Sequence, residues 1–169
     1  MAATHEEGAA VDQTQLRELL DKQELADLVV RASRAIDRCD EELLLSCYHD
    51  DAFDDHGTYK GDPRGLVAYL RRRTMDPVNG PVQHAITNSL FDVRGDVAYG
   101  ETYGESRWVS EDGGVQRGLC RYVDRFERRD GMWRIAHRRV ILESARPGFD
   151  TSDFVQGARD RTDPSYDRD

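Results

Sequence analysis

The second half of the chain constrains the fold most. Four runs rich in β-forming residues, at about 82–93, 96–109, 115–128 and 132–143, are separated by Arg94-Gly95-Asp96, Glu111-Asp112-Gly113-Gly114 and Arg129-Asp130-Gly131. Gly beside Asp supplies the positive φ that tight hairpin turns need, so each junction reads as a hairpin. Three successive hairpins make an antiparallel meander.

The first half has a different period. Leu16, Leu19, Leu20, Leu25, Leu28, Val29, Ala32 and Ile36 recur at spacings of three and four, which predicts an amphipathic helix over Thr14–Asp37, with Thr14 as a serviceable cap. A short helix follows near Glu41–Cys47, capped by Asp40. Ala52–Tyr59 reads as a strand ending at Gly61. Pro63 opens a third helix over Arg64–Arg73, and Asp76–Pro81 is a loop by composition. Helices followed by a meander predict an α+β domain: a cone-shaped barrel whose curved, mostly antiparallel sheet is wrapped by the N-terminal helices. Residues 14–145 form this domain. Residues 1–13 read as a disordered leader and 146–169 as a polar tail that either lies across the domain or stays mobile.

Composition narrows the function. The formal net charge is −9, which repels phosphate backbones and argues against nucleic acid as a partner. No run approaches the roughly 18 apolar residues of a membrane span, and the N-terminus lacks the basic start and apolar block of a secretory signal. Cys39, Cys47 and Cys120 form an odd set without CxxC spacing, which fits free thiols and a cytoplasmic protein rather than a disulfide framework or zinc site. No phosphate-cradling glycine pattern and no GxSxG motif occurs, and no cofactor is implied.

The residues suited to chemistry lie elsewhere. In Val82-Gln83-His84-Ala85-Ile86-Thr87-Asn88-Ser89-Leu90, alternation puts His84 on one face with Val82, Ile86 and Leu90. Taken alone, such an imidazole is more often a core histidine with both nitrogens satisfied. If Asp37, at the end of the first helix, reaches it, the carboxylate fixes one ring nitrogen and leaves the other to take a proton. The segment Tyr48-His49-Asp50-Asp51-Ala52-Phe53-Asp54-Asp55-His56 has no recognised metal-ligand spacing, so no metal is expected. His56 is read instead as a polar group at the mouth of the cone. On the last run either Arg138 or Arg139 projects from the apolar side. It either binds a developing oxyanion or pairs with Glu101, Glu105 or Asp124. Tyr48, Asp54, Tyr103 and Tyr122 are the candidates for contacts with substrate. Ala98, Gly100, Thr102, Gly104 and Ser106 place a stripe of small side chains on one face. That stripe either leaves room for a ligand or marks close packing.

The run from about Leu16 to Glu143 resembles the SnoaL-like branch of the nuclear-transport-factor-2-like superfamily. The resemblance rests on the first helix ending in Asp37, on Tyr48-His49-Asp50-Asp51-Ala52, Gly57-Thr58-Tyr59-Lys60-Gly61, His84-Ala85-Ile86-Thr87-Asn88 and Gly95-Asp96-Val97-Ala98, and on Arg129-Asp130-Gly131-Met132-Trp133-Arg134-Ile135. Its dehydratase and dehydrochlorinase members imply a proton-abstracting dyad at Asp37 and His84, and an arginine at Arg138. They often carry a Tyr or Lys before the aspartate where this chain has Ala32, so His56, Tyr48 or Arg138 must supply the acid. The implied activity is a cofactor-independent lyase acting on a small hydrophobic, cyclic or aromatic substrate. A retro-aldol C–C lyase or an isomerase on the same dyad, or a non-catalytic binding subunit, are the alternatives. The resemblance also implies a homodimer or higher oligomer paired through the outer face of the sheet.

Overall fold

The computed structural model describes residues 12–73, 81–109, 113–145 and 151–168. Three helices, α1 (Gln13–Asp37), α2 (Glu41–Ser46) and α3 (Pro63–Arg73), accompany β1 (Tyr48–Asp55), β2 (Lys60–Gly61), β3 (Val82–Arg94), β4 (Val97–Val109), β5 (Val115–Arg129), β6 (Met132–Ser144) and β7 (Val155–Gln156). The strands form one curved, unclosed sheet in the order β2-β1-β6-β5-β4-β3, with β7 on β6. Among the described residues, only the β1–β6 and β6–β7 pairings are parallel. This is the expected α+β architecture.

Local chemistry explains the element ends. The cap of α1 is Asp12 rather than Thr14: its carboxylate accepts from the Thr14 amide at 2.9 Å. The leader assigned to 1–13 therefore gives its last two residues to the helix, and residues 1–11 lie outside the described part. Cys39, at φ 55°, ends α1, and Asp40 then caps α2 by accepting from the Leu43 amide at 3.0 Å. The first strand begins four residues earlier than expected. A register shift between Tyr48 and Phe53 leaves Asp50 and Asp51 facing solvent, so charge there does not break the strand. It ends at Asp55. His56–Tyr59 form a turn, closed by the His56 amide donating to the Tyr59 carbonyl at 2.7 Å.

The core forms where α1 crosses the sheet. Leu25, Leu28, Val29, Ala32 and Ala35 are buried against Ala98, Phe126 and Ile135. Burial contributes about 1.5–3 kcal/mol for each of the larger side chains. At the α1 N-terminal end, Asp21 is 2% exposed. It accepts from Trp133 Nε1 at 3.0 Å and Arg128 Nη1 at 2.6 Å, and pairs with Arg17 at 3.0 Å. This carboxylate pins the helix to the β5–β6 hairpin.

The direction of two sets of side chains departs from simple alternation or completes it. Leu90 does not share the inner face with His84. Between Ile86, opposite Gly104, and Ser89, opposite Thr102, β3 carries one extra residue. The slip exchanges the faces beyond it, so Leu90 is 70% exposed and Phe91 turns inward. The small stripe is packed by the protein's own rings at Gly100, where a Cβ would come 2.8 Å from Phe126 and 2.9 Å from Phe91.

The C-terminal segment lies across the domain. Val155 and Gln156 extend the sheet opposite Ile141 and Leu142, and the Phe154 ring covers Gly57. Asp163 then takes two hydrogen bonds from Arg121, at 2.9 and 2.7 Å, on the outer face of the sheet. Arg121 also donates to Glu101 at 2.7 Å and Glu143 at 2.6 Å. Arg168 reaches Asp92 on β3 and lies over the Tyr99 ring. Two copies paired through the outer face would therefore meet this strap as well as the strands.

Asp21→Ala leaves Trp133 Nε1 without its acceptor, while Arg128 keeps Asp96 and the Gly95 carbonyl, and is expected to lower stability by about 1–3 kcal/mol, read by urea denaturation. Arg121 holds the Asp163 carboxyl well below the usual carboxylate range. A lowered folded-state value means that the latch contributes fully above the ordinary Asp pKa of ~3.9 and weakens as pH falls below it. Protease cutting within 151–168 is expected to stay slow from about pH 8 to pH 5, the range above that ordinary value, and Asp163→Asn should make the segment sensitive at pH 7.

Candidate active site

The end of α1 meets the start of β3. His84 Nδ1 lies 2.6 Å from Asp37 Oδ1, and the His84 backbone amide donates to both carboxylate oxygens, at 3.1 and 3.0 Å. One carboxylate thus holds both the strand and the ring of the same residue. An ionised carboxylate only accepts, so Nδ1 carries the proton and Nε2 is the nitrogen able to take another. The side chains are 10% and 13% exposed, so the pair is sheltered without being sealed. The two residues lie 47 positions apart in the chain, and the length of α1 brings them together.

A second group sits on the opposite margin of the sheet. Asp54 is fully buried. Its Oδ2 accepts from the Tyr48 hydroxyl at 2.8 Å, and its Oδ1 lies 3.2 Å from His56 Nδ1. The His56 side chain is 21% exposed, and the Tyr69 ring stands 6.5 Å from it. Burial, joined by the Asp54 charge, pushes the Tyr48 phenol well above its ordinary value.

Arg138 is committed to a neighbour. Its Nε and Nη2 donate to the two oxygens of Asp124 at 2.8 and 2.7 Å, with both side chains almost wholly buried. The guanidinium lies 4.3 Å from the centroid of the Tyr122 ring, which is itself sealed at 3% exposure. Burial opposes the Arg138 charge, and the facing Asp124 carboxylate more than offsets that, so the group stays protonated. Of the two roles open to it in the sequence, the ion pair with Asp124 is the one formed. Tyr103 is on the outer face, 46% exposed with Arg121 over its ring, away from His84. The structure therefore groups His84 with Asp37, and His56 with Asp54 and Tyr48. Arg138 and Tyr122 are stacked on each other and sealed from solvent.

Two buried hydroxyls stand out. Ser33 Oγ, one helical turn before Asp37, and Thr102 Oγ1 have no hydrogen-bond partner among the described residues. A lone serine or threonine carries no sequence signal that its partner is missing. Burial pushes the Cys47 and Cys120 thiols up, which makes them poor nucleophiles. Among the described residues, no group of three or more His, Cys, Asp and Glu side chains is placed to hold a metal ion. No described helix is long and apolar enough to cross a membrane.

A curved sheet wrapped by three helices, with a carboxylate–imidazole pair where the first helix meets the sheet, defines an α+β cone with a sheltered polar site. The chain belongs to the SnoaL-like domain family, which matches residues 17–139. Among solved structures, it is similar to the hexachlorocyclohexane dehydrochlorinase LinA-type3 from Novosphingobium barchaimii (22% identity, 80% of this chain and 96% of that chain, TM-score 0.68). It is also similar to a putative scytalone dehydratase from Novosphingobium aromaticivorans (15% identity, 85% and 97%, TM-score 0.70). A third is a single-site variant of Rv3472 from Mycobacterium tuberculosis, described as of unknown function (23% identity, 80% and 87%, TM-score 0.68). At these identities the likeness is one of fold. No curated protein matches the sequence.

Asp124→Ala strands the buried Arg138 charge and is expected to cost about 3–5 kcal/mol in urea denaturation, most of which the double change to Asp124→Leu with Arg138→Met should restore.

Proposed function

We propose that this protein is a cofactor-independent lyase of the dehydratase type, in which His84 removes a proton from a small hydrophobic, cyclic or aromatic substrate. The observation that carries the reading is the 2.6 Å contact between His84 Nδ1 and Asp37, in a pair that is sheltered but keeps some access to solvent. Asp37 fixes the tautomer and orientation of the ring and faces the positive charge that His84 acquires. The electron pair left on carbon forms a double bond as a β substituent, most simply hydroxide, departs with a proton. Membership of the SnoaL-like family and a fold shared with a dehydrochlorinase and a putative scytalone dehydratase support a reaction of this type.

General base assistance contributes about 10²–10⁴-fold. His84→Ala is therefore expected to lower turnover of any accepted substrate by at least about 100-fold, with Asp37→Asn close behind. Initial rates of both variants check this, and undiminished turnover in both removes the dyad from the mechanism.

A further inference from the structure

Elimination of a poor leaving group needs an acid as well as a base, and the dyad supplies only the base. This inference rests on the lyase reading above. Of the three acids open to the chain, two are closed by their contacts. Arg138 is bound to Asp124 through two nitrogens and keeps its proton. The Tyr48 hydroxyl gives its hydrogen to Asp54 and is 2% exposed as a residue.

His56 differs from both. The sheet register shows where it stands. Asp54 lies opposite Arg138, Arg138 opposite Asp124, and Asp124 opposite Gly100, which makes one inward row across the sheet. The next row holds Val140, Tyr122, Thr102 and Ser89, and beyond it come Cys120, Gly104 and Ile86. His84 follows, opposite Ser106. Because β1 runs parallel to β6, the chain leaving Asp54 heads toward the end of the sheet at which His84 stands. The inner rows are sealed, with Asp54 and Thr102 fully buried and Tyr122 and Arg138 nearly so. The His56 and His84 side chains, at 21% and 10%, retain access to solvent. Both histidines therefore lie toward one end of the sheet, His84 on its β3 margin and His56 beyond β1 near the other, each with a carboxylate on Nδ1.

The geometry points to His56 as the proton donor to the leaving group, with Asp54 and Tyr48 as its positioning residues. Asp54 accepts from His56 Nδ1, which turns Nε2 outward, and the Tyr48 hydroxyl fixes the second carboxylate oxygen. In the balanced step, His84 Nε2 takes the proton from carbon, and the C–H electron pair becomes the new C=C bond. The C–O bond breaks, and the departing oxygen takes the Nε2 proton of the doubly protonated His56, whose Nδ1–H stays on Asp54, and leaves as water. Solvent then returns a proton to His56 and removes one from His84.

Two cyclic probes separate the acid from the base. In 3-hydroxycyclohexanone the leaving group needs a proton. In 3-(4-nitrophenoxy)cyclohexanone it departs without one. Proton removal beside the carbonyl is common to both. His84→Ala is expected to depress both reactions. His56→Gln, at a partly exposed position whose loss opens no core, should lower the hydroxy ketone reaction by about 100-fold and the aryl ether reaction by less than about 10-fold. Asp54→Asn should follow the same pattern more weakly. Equal losses on both probes, or no loss on the hydroxy ketone, overturn the assignment of His56. Indifference of both probes to His84→Ala overturns the base reading instead. A readout that needs no turnover is the ¹⁵N spectrum of the imidazoles. In its neutral form, the one left after donation, His56 should carry its proton on Nδ1 in the native protein and shift toward Nε2 in Asp54→Asn. A His56 spectrum indifferent to Asp54→Asn also overturns the proposal.

Discussion

One carboxylate organises the open end of this molecule. Asp37 accepts the backbone amide and faces the ring nitrogen of the same residue, His84. The first contact ties the last turn of α1 to the first residues of β3, so the edge of the sheet cannot drift from the helix. The second sets which ring nitrogen remains for chemistry. Position and reactivity therefore come from a single group, and a change at Asp37 acts on both.

The opposite end of α1 is held by the same kind of contact. Asp21 gathers Arg128, Trp133 and Arg17. Between the two carboxylates the helix buries an apolar face against the sheet, so its length fixes the distance from the closed end to the open one. The buried pair Arg138–Asp124 adds a rigid layer beneath the site. Pairs of this kind contribute little net stability compared with apolar packing, but losing one partner is costly. Their value here is geometric: they stack Tyr122 and border the Asp54 group.

Much of this was legible in the sequence. Gly and Asp at the three turns located the meander to within a residue or two, since few residues tolerate positive φ, and Asp130, Gly95, Gly113 and Gly131 adopt it. The three-and-four spacing located α1, and the meeting of Asp37 with His84 followed from the resemblance. What escaped depends on contacts across the sheet. Alternation assumes an unbroken pleat, and the extra residue in β3 reversed Leu90. Exposed acidic residues look like a turn, yet Asp50 and Asp51 sit in a bulged strand. The stripe of small residues is silent about what fills it, and at Gly100 the filler is Phe91 and Phe126, from elements on either side. The partner of Arg138 could not be chosen among several carboxylates until register placed Asp124 opposite it. That the tail lies across the sheet depends on ion pairs distant in sequence, which no local pattern encodes.

The central claim is that His84 is a base oriented by Asp37. A ¹⁵N-resolved titration of the His84 ring tests it most directly. The predicted result is a proton fixed on Nδ1 across the titration, with Nε2 alone gaining and losing a proton as pH changes. A ring whose mobile proton is on Nδ1, or whose Nε2 proton never titrates, would contradict it.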